Sequence, residues 1–224
     1  MDKGKLIVFE GIDGSGKSAQ YKRICSRLEN DGIAYHHIVF PRYEQDSSAL
    51  IRLYLGGEFG SNPSDVNAYT ASTFFAVDRF ASYRTDWGKI YNEGGFVLSD
   101  RYTTSNAVHQ GGKLPDNELD AYFEWLYDLE YGKMGLPVPD LVIYLDVDLE
   151  TSLRRMRKRE ESTNTSADIH EKDVKYLENC LRVADRAADF YGWTRVPFEK
   201  DGKERELEEK HEEIYAIIRS ALGR

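Results

Sequence analysis

Cysteine is nearly missing from this sequence. Cys25 and Cys180 are the two in 224 residues, far apart and outside any CxxC pair, which excludes a disulfide framework and a structural zinc site. Both read as small reduced core residues. No stretch approaches the ~20 consecutive apolar residues that a bilayer span requires. The opening residues MDKGKLIVFE pass directly into a strand pattern, without the basic, apolar and cleavage-site regions of a secretion signal. A cytosolic location is the expectation. Basic charge is also short: 30 Lys and Arg stand against 39 Asp and Glu, a net charge of −9, so general binding to nucleic acid is not expected. Internal repeats and low-complexity segments are absent. What remains is a chain 41% apolar and about one and a half times a typical 150-residue domain, enough for one large domain or a core with an inserted lid.

Leu6, Ile7, Val8 and Phe9 mark a buried strand over residues 5–10, and the helical pattern of residues 17–31 is closed by Gly32. Further strands are expected at residues 34–40, 96–99 and 141–147, bounded by Pro41, Gly94-Gly95 and Pro137-Val138-Pro139. Helical spacing covers roughly residues 66–93, 117–131, 149–158, 172–191 and 204–222. Such alternation predicts an α/β fold with a mostly parallel sheet covered on both faces. Leu119, Tyr122, Phe123 and Leu126 read as core. Leu207, His211, Ile214, Ile218 and Leu222 share a helical face, making His211 a satisfied core-edge histidine, and acidic residues 204–213 read as a solvated face.

Between the first strand and the first helix lies Gly11-Ile12-Asp13-Gly14-Ser15-Gly16-Lys17-Ser18, the GxxxxGK[ST] phosphate loop in the context it requires. Glycines let consecutive N–H groups turn toward phosphate oxygens, and the helix N-terminus adds partial positive charge. Lys17 would reach the β and γ phosphates of ATP, and Ser18 would ligate Mg²⁺. No NKxD guanine-reading segment is present, and the chain is too short for oligomeric motor machinery, so a small-molecule kinase is favoured. Asp100-Arg101-Tyr102 follows the strand at 96–99, at the sheet edge where α/β proteins bind ligands. Asp100 could hold Mg²⁺ and Arg101 clamp phosphoryl oxygens, although the pair alone could be a plain salt bridge.

Arg154, Arg155, Arg157, Lys158 and Arg159 place five cations in six residues of an acidic chain. Arg155 and Arg159 share a helical face and could meet ATP phosphates, with Arg157 beside them, as the polar segment 160–169 closes over the site. A solvated basic face paired with Glu160 and Glu161, or a small nucleic-acid patch, are the bland alternatives.

FEGIDGSGKS, FPRY, FFAVDR, DRYTTSNAVHQGG and PDLVIYLDVDLETSLRRMRKR, in this order from residue 6 to about residue 193, resemble the thymidylate kinase (dTMP kinase) family. The resemblance implies a single P-loop kinase domain over residues 1–224, with a five-stranded sheet in three layers and a lid near residues 154–170. It implies transfer of the γ-phosphoryl of Mg·ATP to dTMP, and a homodimer. Phe75 matches the aromatic that stacks on thymine and Arg79 the donor to its O4. Four residues apart, they share one helical face, while Phe74, Val77 and Ala81 point to another and can pack. Asp13 matches the carboxylate near the sugar 3′-hydroxyl that supports the catalytic arginine. Phe40 and Tyr43 match the element beside acceptor phosphate and sugar, with Arg42 a weaker phosphate candidate. Ser105, Asn106 and Gln110 match the base-binding segment. His109 departs from the Tyr or Phe common in relatives at the ring that crowds the 2′ position. Gly14 stands where some relatives carry an arginine, the version of the loop in which lid arginines, here Arg155 or Arg159, supply transition-state charge. A kinase of another nucleotide or of a deoxynucleoside, and a non-catalytic nucleotide-binding regulator, remain as alternatives.

Overall fold

Period-two alternation along β1 (Lys5–Glu10) sends Leu6 and Val8 to one face of a sheet and Ile7 and Phe9 to the other, and all four side chains are fully buried. A strand apolar on both sides must run through the middle of a sheet covered twice. In the computed structural model, which describes residues 3–163 and 173–223 apart from the side chains of 159–163, β1 is the central strand of five. The others are β2 (His36–Val39), β3 (Phe96–Asp100), β4 (Leu141–Asp146) and β5 (Thr194–Pro197), in the order β2-β3-β1-β4-β5 with every neighbouring pair parallel. The helices are α1 (Lys17–Asn30), α2 (Ala49–Leu55), α3 (Ala68–Ser82), α4 (Gly88–Asn92), α5 (Thr103–His109), α6 (Asp116–Tyr127), α7 (Leu149–Thr163), α8 (Val174–Tyr191) and α9 (Leu207–Ala221). Tyr21, Ile24 and Leu28 of α1 and Ile214 and Ile218 of α9 cover the Ile7 face. Trp87, Tyr122, Phe123, Cys180 and Val183 cover the Leu6 face.

Several expected boundaries move. The helix expected over residues 66–93 is interrupted: α3 ends in a π turn, Tyr83–Trp87, closed by the Gly88 N–H on the Tyr83 carbonyl, before α4 resumes. The extra residue turns Trp87 into the core, where it is fully buried. A second π turn, Asp128–Lys133, extends α6 and buries Glu130. On α3 the packed face is Ala68, Ala71, Ser72, Ala76, Asp78 and Arg79, whereas Val77, expected to pack, is exposed.

Glu204 belongs to no helix. It ends a hairpin of β6 (Glu199–Lys200) and β7 (Lys203–Glu204), turned by Asp201 and Gly202 with positive φ, and α9 starts three residues later than the pattern suggests. β5 escaped the pattern because it is a four-residue edge strand ending in Pro197, tolerated where no further partner is needed. α5 escaped because Thr103, Thr104 and Val108 are β-branched. His211 is buried as expected, but among the described residues its Nδ1 finds no partner. The expected lid, residues 154–170, falls partly outside the described residues, as does the side chain of Arg159.

Candidate active site

β1 and β3 deliver the two halves of the site side by side. Their register pairs Phe9 with Asp100, and the Arg101 N–H closes the ladder on the Phe9 carbonyl at 3.0 Å. Beyond that point β1 opens into the phosphate loop and α1. Gly14 (φ 78°) and Gly16 (φ 88°) occupy the left-handed region there. At Gly14 a side chain is also excluded by space, because a Cβ would lie 2.5 Å from the Ser152 carbonyl of α7. Ser152 seals the contact by donating to the Asp13 carbonyl at 2.7 Å.

Lys17 contacts the Asp100 carboxylate, both nearly buried. Burial and the Arg101 charge lower the Lys17 pKa, opposed by Asp100 and Glu10. Arg101 has φ 66°, a conformation that non-glycine residues rarely adopt and that clusters at functional sites. Its guanidinium donates to Asp13 Oδ1 at 3.0 Å and to His109 Nε2 at 3.0 Å, approaches Ser105 Oγ at 3.4 Å, and lies 3.6 Å from Glu10 Oε1. Burial and then the Arg101 charge push the His109 pKa down to about 4, so its ring is neutral and Nε2 is free to accept.

Glu10 is a site residue the motif reading passed over. Wholly buried at the end of β1, it accepts from the Gly11 N–H (2.9 Å), Thr104 Oγ1 (2.6 Å) and Ser105 Oγ (2.6 Å), tying the phosphate loop to α5. Ser105 therefore spends its proton on Glu10 rather than offering it to a ligand. The signal was the acidic residue ahead of the loop, but its hydroxyl partners are over ninety positions away.

A cavity of about 270 Å³ opens where these elements meet, lined among others by Asp13, Lys17, Ser18, Phe40, Tyr43, Phe75, Arg79, Asp100, Arg101, Ser105, Asn106 and His109. The structure thus brings together most of the residues singled out from sequence. Gln110 is not among them: it is buried away from the cavity, its Oε1 without a partner among the described residues. Arg42 is likewise occupied, held through its backbone N–H (2.9 Å) and Nε (3.4 Å) by buried Asp78. Phe75 packs edge-on against Tyr54 (6.3 Å), and Arg79 makes a bidentate pair with Glu130, both bonds 2.6 Å.

The far side of the loop carries two more cavities. One of about 210 Å³ is lined by Ile12, Asp13, Gly14, Gly16, Lys17, Ser18 and Arg155, and one of about 250 Å³ by Ser15, Gly16, Asp146, Arg155, Phe198 and Lys210. Asp13, Lys17 and Ser18 line both the first cavity and the 210 Å³ one, so the loop is the wall between two compartments. Arg155 reaches it, donating to the Gly14 carbonyl at 3.1 Å and to Glu204 at 2.6 Å. Arg157 is exposed on α7.

Ser18 and Asp100 offer hard oxygen donors, a hydroxyl and a carboxylate, within one cavity. That donor set suits Mg²⁺, which takes one or two protein oxygens and completes its shell with water and phosphate. The acidic group Glu208, His211 and Glu212 makes no comparable case, because both carboxylates are paired with Arg23 and Arg27.

The sequence model of the thymidylate kinase family matches residues 9–214. The thymidylate kinase of Mycobacterium tuberculosis is 32% identical over 190 residues, covering 84% of this chain and 87% of that one. A probable thymidylate kinase of Methanococcoides burtonii is 29% identical over 220 residues, covering 98% of each. The fold is similar to the solved structure of thymidylate kinase from Candida albicans, with a TM-score of 0.70 over 97% of this chain and 92% of that one at 20% identity.

Proposed function

The chain belongs to the thymidylate kinase family and is a dTMP kinase, and from that premise we propose which side chains carry the transfer of the γ-phosphoryl of ATP to dTMP, giving dTDP and ADP. The observation behind the assignment is the two-compartment layout, with Lys17 and Asp13 in the shared wall and Arg101 beside them. ATP lies along the phosphate loop, its phosphates against the loop amides and Lys17. dTMP fills the 270 Å³ cavity, with thymine on Phe75, Arg79 donating to O4, and Asn106 on the base edge. Phe40 and Tyr43 flank its sugar and phosphate, and Asp13 takes the 3′-hydroxyl while holding Arg101.

The acceptor oxygen is already anionic near neutral pH, so the protein needs no strong base. Its work is positioning and charge stabilisation. Lys17 and Arg101, each anchored by a carboxylate, meet charge developing on the transferred group from the two sides of the wall. Arg155 joins from α7, with Arg157 and Arg159 completing a lid of about residues 154–170. Ser18 and Asp100 would hold Mg²⁺, which neutralises phosphate charge when bound. His109 fills the space beside Arg101 as a neutral ring, where it crowds a 2′-hydroxyl. The chain acts as one domain in the cytoplasm. No described helix is long and apolar enough to cross a membrane. It pairs as a homodimer through α3, whose Tyr69, Val77 and Phe80 form an exposed apolar stripe.

The test is a coupled ADP-release assay across dTMP, dUMP, CMP, AMP and thymidine. Turnover concentrated on dTMP is expected. Activity concentrated on another acceptor, or binding of ATP and dTMP without turnover, overturns the assignment.

A further inference from the structure

Glu130 is wholly buried, yet the helical pattern of its segment gives it no task. The π turn after α6 carries it inward, 51 positions from the arginine it meets. One carboxylate oxygen takes Arg79 Nε at 2.6 Å, and the other takes Arg79 Nη2 at 2.6 Å and Asn106 Nδ2 at 3.1 Å. Asn106 Nδ2 also donates to the Ser72 carbonyl at 3.0 Å. Both amide protons of Asn106 are thereby committed. The reversed amide would set its oxygen against two acceptors at once, so the orientation is chosen by the network.

The remaining atoms decide what a ligand meets. Arg79 and Asn106 both line the acceptor cavity, and neither Arg79 Nη1 nor Asn106 Oδ1 is among the sealed polar atoms that lack a partner. The network leaves both for the cavity that their residues line, Nη1 as a donor and Oδ1 as an acceptor only. Thymine offers O4 as an acceptor and N3–H as a donor, the complement of this pair. Cytosine offers the reverse, an amino donor at C4 and an acceptor at N3.

We infer that Glu130 is the specificity-setting positioning residue of the acceptor site: by holding the guanidinium edge of Arg79 and the amide of Asn106 together, it fixes a donor-beside-acceptor pattern that admits thymine or uracil and rejects cytosine. This rests on the dTMP kinase reading. Glu130 touches no substrate. It acts by removing the alternative arrangement of two residues that do, and an unpaired buried acceptor is what a mismatched base would leave behind.

The test compares the full-length protein with Glu130→Gln and Glu130→Asp, using dTMP, dUMP and dCMP as acceptors. Weakening one charge-assisted bond is expected to raise the dTMP KM about 10- to 100-fold with a much smaller change in kcat. The kcat/KM preference for dTMP over dCMP should narrow by a similar factor in Glu130→Gln and less in Glu130→Asp, which keeps the charge. A preference unchanged within twofold, or an equal loss of kcat on every acceptor, overturns the assignment. Should either variant fail to fold, wild-type protein labelled with ¹⁵N-asparagine gives the answer: the Asn106 amide protons should be slow to exchange and nearly unmoved by dTMP. A large shift or deprotection on dTMP addition would mean they face the base, and would overturn it too. Absence of dTMP turnover in the wild-type protein would instead sink the kinase reading, so the two failures are distinct.

Discussion

Replacing Gly14 with alanine puts one methyl group between the phosphate loop and α7. Gly14 has φ 78°, and a left-handed conformation costs a non-glycine residue about 1–2 kcal/mol. The new Cβ would sit 2.5 Å from the Ser152 carbonyl, backbone that cannot rotate aside. Restoring ordinary contact at 3.4 Å requires α7 and the loop to part by about 0.9 Å, and overpacking of that kind costs roughly 1–3 kcal/mol. The sum is about 2–5 kcal/mol of stability, or a fall in Tm of roughly 5–15 °C for a chain of this size. The same displacement pulls Arg155 from the Gly14 carbonyl that it now holds at 3.1 Å. Misplacement on the order of 1 Å costs up to about 100-fold in rate, so kcat should fall about 10- to 100-fold with a smaller change in dTMP KM. Chemical denaturation and steady-state kinetics on the same preparation check both numbers. A variant within about 0.5 kcal/mol of the parent and with unchanged kcat would refute the claim that the missing side chain lets α7 dock.

Two further outcomes follow from the charge layout. Arg155→Ala and Arg159→Ala should each lower kcat by tenfold or more while leaving dTMP affinity near its original value; unchanged turnover in both would remove α7 from the mechanism. His109 is held neutral with a pKa near 4, against about 6.5 when unfolded, so its contribution is intact above pH 6.5 and is lost as pH falls toward 4. That amounts to about 3 kcal/mol at the acid end, and denaturation midpoints for His109→Gln should fall less steeply across this range.

What the sequence made legible was local. The phosphate loop and the Asp100-Arg101 pair could be read because their chemistry sits within eight and two consecutive residues, and flanking strand patterns placed them at the same sheet edge. Glu10 and Glu130 were not legible, since each acquires meaning from partners 24 to 95 positions away. Glu130 is concealed further by the π turn, which breaks the 3.6-residue periodicity used to assign faces. The same effect sent Trp87 inward. Gln110 misled because adjacency to residues assigned to the base does not fix direction: one step past His109 and four past Asn106, its side chain points into packed protein.

The final rung between β1 and β3, the Arg101 amide on the Phe9 carbonyl, makes the distance between the two halves of the machinery a property of the sheet itself. Neighbouring strands sit about 4.8 Å apart whatever their side chains, so the gauge separating loop from clamp is set by backbone geometry and not by the residues that use it. A slip of one residue along β3 would carry Arg101 about 3.3 Å and turn it to the opposite side. Insertions in surface loops can be absorbed, whereas an insertion between Phe96 and Arg101 cannot, because no downstream adjustment restores the measure.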